Sequence, residues 1–241
     1  MSDHETADTN EFGQPVGKVV NDWAGAERPT GAALDGRTVR LEPLSVAHVE
    51  ALHAAFAPAP SGHWTYMPWG PFDSVAAYGE WVEAVVRSEG FDYMTICTPE
   101  PIGVAAYMAI EPSMGSIEVG GITFAPALQG TIEATEAMYR MMAHAFDDLG
   151  YRRYEWKCDA LNGPSRAAAE RLGFVYEGTF AQHRVVRGRS RDTAWFSITD
   201  ARWHTEVKSA LQRWLAPSNF DEVGMQVHRL QDLRNRQATK N

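Results

Sequence analysis

The sequence predicts an α/β fold: a mixed, mostly antiparallel sheet of six to seven strands interleaved with helices. Short runs of alternating apolar and polar residues recur along the chain. Three of them fall in succession between Asp92 and Phe124, joined by turns short enough for hairpins. Segments with apolar residues at spacings of three and four stand before, between and after these runs, giving the order βαα-βββ-αβ-αββ. No composition break divides that order, so a single domain over 37–203 is expected. An extended arm over 1–36 precedes it, and a C-terminal helix and tail over 204–241 pack on it.

The arm is rich in Gly, Pro, Asn and charge; it is expected to be disordered at its start and pinned by Val19, Val20 and Trp23. Thr38 to Leu44 alternates as a first strand. Ser45 then caps a helix through Val49, Leu52 and Phe56. A Pro-Gly loop follows with Trp64, Tyr66, Met67, Trp69 and Phe72. Ser74 opens a second helix whose face is Tyr78, Trp81, Val82 and Val85.

The three central strands are Asp92 to Thr98, Ile102 to Ile110 and Ser116 to Phe124. The last carries a glycine pair, Gly120-Gly121, which suits a bulge or a close backbone approach by a ligand. A turn over Ala125 to Gly130 leads into a Met-rich helix that stops at Gly150. The fifth strand, Tyr151 to Asp159, alternates Tyr154, Trp156 and Cys158 with Glu155, Lys157 and Asp159. Asn162 caps a helix with Pro164 in its first turn and Gly173 as its stop. Phe180 to Val186 and Thr193 to Thr199 form a last hairpin around RGRSRD. A helix from Thr205 to Leu215 and a charged tail close the chain.

With 241 residues, 44% of them hydrophobic, the chain is long enough to bury a sizeable core. A formal net charge of −9 argues against non-specific nucleic-acid binding and favours cationic or neutral small partners. Cys97 and Cys158 lie far apart inside strands, so two free thiols are expected, with neither a disulfide framework nor a metal cluster. The polar, acidic start does not read as a signal peptide, and no run reads as a membrane span. A cytoplasmic protein, monomeric or homodimeric, without nucleic-acid or membrane partners, is the expectation.

The strand-turn-helix from Ser116 to Ala145 is either an ordinary buried crossover or an anion site, because a glycine-bearing turn feeding a helix N-terminus presents unpaired amides. Three segments bear on the choice: IEVGGITF, the turn and helix start QGTIEATEA, and NGPSRAAAERLGFVYEG. In order and spacing, from Ile117 to Gly178, these resemble the GCN5-related N-acetyltransferases, in the branch typified by ribosomal-protein N-terminal acetyltransferases. The family's pyrophosphate motif is matched by Gln129-Gly130-Thr131-Ile132-Glu133-Ala134, with Ile132 where the family usually has its central glycine. A side chain there limits close approach to phosphate and disfavours positive φ. Glu133 and Glu136 add carboxylates to the first turn, where they satisfy the helix dipole themselves.

The resemblance implies a sheet with helices on both faces, splayed between the fourth and fifth strands, and acetyl-CoA as cosubstrate with no metal. It implies that Gln129 and the amides of Gly130, Thr131, Ile132, Ala134 and Thr135 hold pyrophosphate. Ile122 and Phe124 would take the pantetheine arm like an added strand. Asn162 would bond the same arm while also capping its helix. Arg166 and Arg171 reach phosphate or ribose, or are solvated helix charges. Glu118, beside the splay, is the candidate base for an ammonium acceptor, or a structural carboxylate. The family's acid tyrosine is replaced by Ala169, leaving Ser165 as candidate proton donor. His63, Trp64, Tyr66 and Trp69 fall where this family forms its acceptor wall. Arg187, Arg189 and Arg191 hold an acidic group or form a solvated turn. The function implied is transfer of an acetyl group to a primary amine (a protein N-terminus, or a small metabolite or antibiotic) by direct attack in a ternary complex. The alternative is a non-catalytic acyl-CoA-binding or regulatory protein on the same scaffold.

Overall fold

The computed structural model describes residues 7–238; the first six residues of the arm and the last three of the tail lie outside that range. The arm forms a small hairpin of β1 (Asp8–Thr9) and β2 (Pro15–Val16) and then β3 (Leu34–Asp35). After β4 (Arg40–Pro43) come α1 (Val49–Phe56) and α2 (Val75–Val86), then β5 (Phe91–Cys97), β6 (Pro101–Glu111) and β7 (Ser116–Phe124). The remainder runs α3 (Ile132–Ala143), β8 (Arg153–Asp159), α4 (Gly163–Leu172), β9 (Val175–Val186) and β10 (Arg189–Thr199). Last come α5 (Asp200–Arg202), a π turn (Trp203–Val207), α6 (Lys208–Leu215) and α7 (Leu230–Ala238).

The main sheet has eight strands in the order β3-β4-β5-β6-β7-β8-β10-β9. Every neighbouring pair is antiparallel except β7 and β8, which run parallel because α3 carries the chain back between them. The eighth strand is β3, a two-residue piece of the arm that pairs Leu34 with Leu41 and Asp35 with Arg40. Too short to show an alternation, it falls outside the expected six to seven.

Three helices on the path to the site start where a side chain takes an orphan amide. Ser74, Thr131 and Asn162 accept from the backbone of Ala77, Ala134 and Ser165. The C-terminal helix begins at Asp200, earlier than expected. Thr199 at the end of β10 is its cap, and the Thr205 hydroxyl donates inside the helix to the Ala201 carbonyl. The last hairpin turns at Arg187-Gly188, both with positive φ (50° and 73°), so Arg189 and Arg191 lie in β10 and not in a turn. The tail forms α7, which buries Leu230 and Leu233.

One face of the sheet packs α3, α4 and the C-terminal helices over Tyr107, Ile117, Val119, Tyr154, Trp156, Phe196 and Trp203. The other packs α1 and α2 over Tyr93, Val104 and Ala106 of β5 and β6. Beyond β6 that second face is polar, carrying Glu118, Glu155 and Lys157. Of the expected cluster Trp23 pins the arm, its Nε1 donating to the Ser113 carbonyl (2.8 Å) and its ring lying under Arg152, while Val19 and Val20 are exposed; the amides of Ala26 and Glu27 add bonds to the Pro112 and Leu149 carbonyls.

Glu136 does not serve the α3 dipole. It is buried, and its carboxylate accepts from the amides of Arg37 (2.6 Å) and Thr38 (2.8 Å) and from the Thr38 hydroxyl (2.5 Å). It therefore ties the β3–β4 turn to α3. Glu136→Ala strands those donors and is expected to cost about 2–4 kcal/mol in chemical denaturation; a loss under about 0.5 kcal/mol refutes the tie.

Candidate active site

The site grows from a failure of pairing. β7 and β8 are in register from Ser116 opposite Arg153 to Val119 opposite Trp156, and no further, although β7 continues to Phe124 and β8 to Asp159. On its other side β7 stays with β6 through a register shift between the pairs Ala106–Gly120 and Val104–Thr123. That bulge is the glycine pair. Gly121 has φ +59°, and a Cβ there would lie 2.5 Å from the Tyr93 hydroxyl. β7 follows β6 away from β8, and the stretch with Ile122 and Phe124 faces a gap with no strand in it.

The turn after β7 ends at that gap. Gly130 supplies its single positive φ (+75°) and has no heavy atom within 4 Å of a built Cβ. The Thr131 hydroxyl donates to the Leu128 carbonyl (2.8 Å) and accepts from the Ala134 amide (3.1 Å). Ala134 is therefore capped by Thr131, whereas the amides of Gly130, Ile132 and Glu133 have no partner among the described residues. Ile132 has ordinary helical φ, and its side chain packs against the main core. It does not occupy the turn. Gln129 donates its amide to the Phe124 carbonyl (3.1 Å) and meets His63 Nδ1 at 3.3 Å.

Across the gap, the Asn162 cap uses only Oδ1, toward the Ser165 amide (3.2 Å), which leaves Nδ2 without a protein partner. Ser165 Oγ accepts from the Trp156 indole (3.0 Å) and keeps its own proton. Arg166 donates to the Ala160 carbonyl and lies over the Tyr176 ring. Arg171 is turned inward, donating to the Thr135 hydroxyl (3.1 Å) over the Trp214 ring, and burial lowers its pKa.

Glu118 lies one residue before the point where pairing ends, directly across from Glu155. Two carboxylates opposite one another repel. Lys157 bridges them, 2.7 Å from Glu118 and 2.6 Å from Glu155, with its ammonium 4.0 Å from the centre of the Trp195 ring. Burial pushes the Glu118 carboxyl above the ordinary range, and Lys157 only partly reverses this. Burial also acts upward on Glu155, but its bonds to Lys157 and Arg153 outweigh it and hold that carboxyl low. Arg153 carries the chain of charge on to Glu177.

The loop before α2 crosses to this end of the sheet. Trp64 is buried within the second core, edge-on to Phe56 and Phe72, and so stiffens the wall from behind. Trp69 packs on Trp81 and Tyr93. Tyr66 donates to the Leu161 carbonyl (3.0 Å) in the β8–α4 turn, and Arg187 of the last hairpin donates to the Gly70 carbonyl. Burial lowers the pKa of His63, so its imidazole is neutral beside Gln129 at neutral pH. The sequence alone did not single out Lys157 or Tyr93. Alternation put Lys157 on the open face of β8, but only the parallel register sets it beside Glu118. The Tyr93 hydroxyl is buried, without a partner, against Gly121.

A strand gap ending at an amide-bearing turn and a buried carboxylate defines an acyl-transfer fold with room for an extended, anionic cosubstrate. Residues 38–175 match the acetyltransferase (GNAT) domain, and the chain belongs to that family; it is an acyltransferase. It is similar to a GCN5-related N-acetyltransferase from Brucella melitensis, with 41% identity, a TM-score of 0.87, and coverage of 90% of this chain and 100% of that one. It is 27% identical to the N-acetyltransferase p20 of Bacillus licheniformis over 55% of this chain and 78% of that protein. A Bacillus subtilis protein provisionally named ribosomal N-acetyltransferase YdaF is 29% identical over 36% of this chain and 47% of that protein, consistent with the ribosomal-type branch read from the sequence. Among the described residues no group of three or more His, Cys, Asp or Glu is placed to hold a metal, and no helix is long and apolar enough to cross a membrane.

Because Ile132 packs inward, Ile132→Gly is expected to lower the melting temperature by several degrees and to change acetyl-CoA affinity by less than about twofold. Calorimetric titration giving ~10-fold tighter binding in the variant, about 1.4 kcal/mol, contradicts this placement.

Proposed function

We propose that this protein is an acetyl-CoA-dependent N-acetyltransferase that transfers acetyl to a primary amine by direct attack in a ternary complex. The acceptor is a protein N-terminus or a small amine-bearing metabolite or antibiotic. The observation that supports this reading is the end of β7–β8 pairing at Val119, which leaves an unpaired strand edge running from the buried Glu118 to the turn with the free amides at Gly130.

The residues present fit the cosubstrate. The free amides of Gly130, Ile132 and Glu133, at the positive end of α3, suit a pyrophosphate, with Gln129 and the amides of Thr131 and Thr135 beside them; that of Ala134 joins the set once a ligand competes with the cap. The open edge around Ile122 and Phe124 and the free Nδ2 of Asn162 suit an amide-containing arm, with Arg166 at its outer end. When bound, acetyl-CoA supplies a thioester carbonyl activated toward an amine.

The chain's own groups manage the protons. A primary ammonium cannot attack, so Glu118 accepts the proton that frees the nitrogen lone pair. Lys157 holds that carboxylate charged despite its burial and fixes its direction. Ser165 donates its hydroxyl proton toward the leaving sulfur as the new C–N bond replaces the C–S bond, and its oxygen is reprotonated by the second proton that the acylated nitrogen gives up. The buried Tyr93 hydroxyl at Gly121 offers a second donor on the acceptor side. His63, Tyr66 and Trp69 form the outer acceptor wall with Trp64 behind them.

Glu118→Gln is expected to lower kcat by about 10²–10⁴-fold while leaving acetyl-CoA affinity unchanged. Because Glu118 titrates above the ordinary carboxylate range, the acidic limb of kcat/KM lies above that range. Lys157→Met removes the group opposing burial, so the limb moves to still higher pH. Thiol release from acetyl-CoA across an amine panel, read against pH, checks both. A limb that stays in place in Lys157→Met removes Glu118 as base, and absence of acetyl-CoA binding sinks the whole reading.

A further inference from the structure

On the open face beyond Lys157, β9 and β10 carry cations that the chain leaves uncompensated. Arg191 and Arg184 sit directly opposite each other across the two strands. Like charges so placed are destabilising, and neither arginine has a carboxylate partner among the described residues. The nearby aspartates form no ion pair with either arginine; each carboxylate accepts a backbone amide, Asp192 from Gln182 and Asp159 from Leu161. Around the arginines lie four buried polar atoms without a hydrogen-bond partner: Arg191 Nε, Trp195 Nε1, His183 Nδ1 and Thr193 Oγ1. Thr193 is 2% exposed. Each such atom calls for a partner, and four of them gathered around two unpaired arginines suit a single polar ligand.

The cluster is continuous with the site. Trp195 stands opposite Lys157 and is stacked under its ammonium, while Phe180 and His183 pack on Trp195. Arg184 is close enough to Glu118 to draw its carboxyl downward, and Arg184, Arg191 and Lys157 all act on His183. A surface that is donor-rich, cationic and floored by aromatic rings, beside the proposed base, fits an oxyanion a short reach from the reacting amine.

We infer that the β9–β10 face is the specificity subsite of the acceptor, taking an amine that also carries a carboxylate or phosphate, with Arg184 and Arg191 as its oxyanion ligands. This rests on the acetyltransferase reading: Glu118 serves the amine, and the arginine pair serves the anion. Arg187 does not share the role, being held on the Gly70 carbonyl.

Matched pairs test it: L-tyrosine against tyramine, phosphoethanolamine against ethanolamine, and the dipeptide Ser-Glu against Ser-Gln amide. Binding to the full chain saturated with CoA is read by calorimetry and tryptophan fluorescence, and turnover by thiol release. The anionic member of at least one pair is expected to bind at least tenfold tighter. That preference should vanish in Arg184→Gln/Arg191→Gln, whose CoA affinity should match that of the wild type. The pair that discriminates tells carboxylate from phosphate. The inference is overturned if neutral members bind as well as their anionic partners, if no member binds, or if the double variant keeps the preference. Since CoA binding is measured separately, turnover of neutral amines alone discards the subsite and keeps the acetyltransferase reading, whereas loss of CoA binding in the wild type discards the latter.

Discussion

Everything functional in this chain depends on β7 being unable to follow both of its neighbours. For four residues it pairs with β6 and β8 alike; at the glycine pair it bends and keeps only β6. The bend requires glycine at Gly121, where φ is +59° and a Cβ would sit 2.5 Å from the Tyr93 hydroxyl; a Cβ on Gly120 would have to displace the flexible Met108 side chain. Every backbone group left unpaired inside a protein carries a penalty of roughly 1–3 kcal/mol. A sheet that opens in its middle is stable only if the rest of the fold carries that penalty, and two separate cores, one on each face, provide the support.

The opening also explains the electrostatics. Parallel pairing sets Glu118 across from Glu155 just before the strands part, where no helix covers the sheet. Two facing carboxylates at a half-buried position are tolerated only with a cation between them. Lys157 fills that place, itself seated on Trp195. Isolated buried ion pairs are poor stabilisers because desolvation offsets attraction. This one extends through Arg153 and Glu177 to the sheet edge, so its inner end is dry and its outer end solvated. A carboxylate at the dry end titrates above the range of an ordinary glutamate because burial outweighs its bond to Lys157.

Local features of this architecture were legible in the sequence, and non-local ones were not. Ser116 to Phe124 was read with its limits, since alternation and a glycine pair are written in consecutive residues. The caps Ser74 and Asn162 are equally plain, because the bond each makes is to a residue three positions away. The register of β7 on β8 depends on how α3 returns the chain, so the Glu118–Lys157 contact had no local signature. The tail helix has little signature because, among its described side chains, Leu230 and Leu233 are the buried ones and stand among charged residues. Ile132 looked like an obstacle only while the positive φ was assigned to its position; the turn takes it at Gly130 instead.

The aromatic loop before α2 shows how one segment can serve both core and site. Its buried end, Trp64, is locked among Phe56, Phe72 and His63. Its outer end meets three different turns, through His63 to Gln129, Tyr66 to Leu161 and Gly70 to Arg187. Those turns follow β7, follow β8 and join β9 to β10, so the loop spans the opening and reaches both strands that border it. All three contacts are exposed single hydrogen bonds, which contribute little stability one by one and break readily. The loop is thus fixed where its rings pack into the second core and held only by single exposed bonds where it crosses the opening.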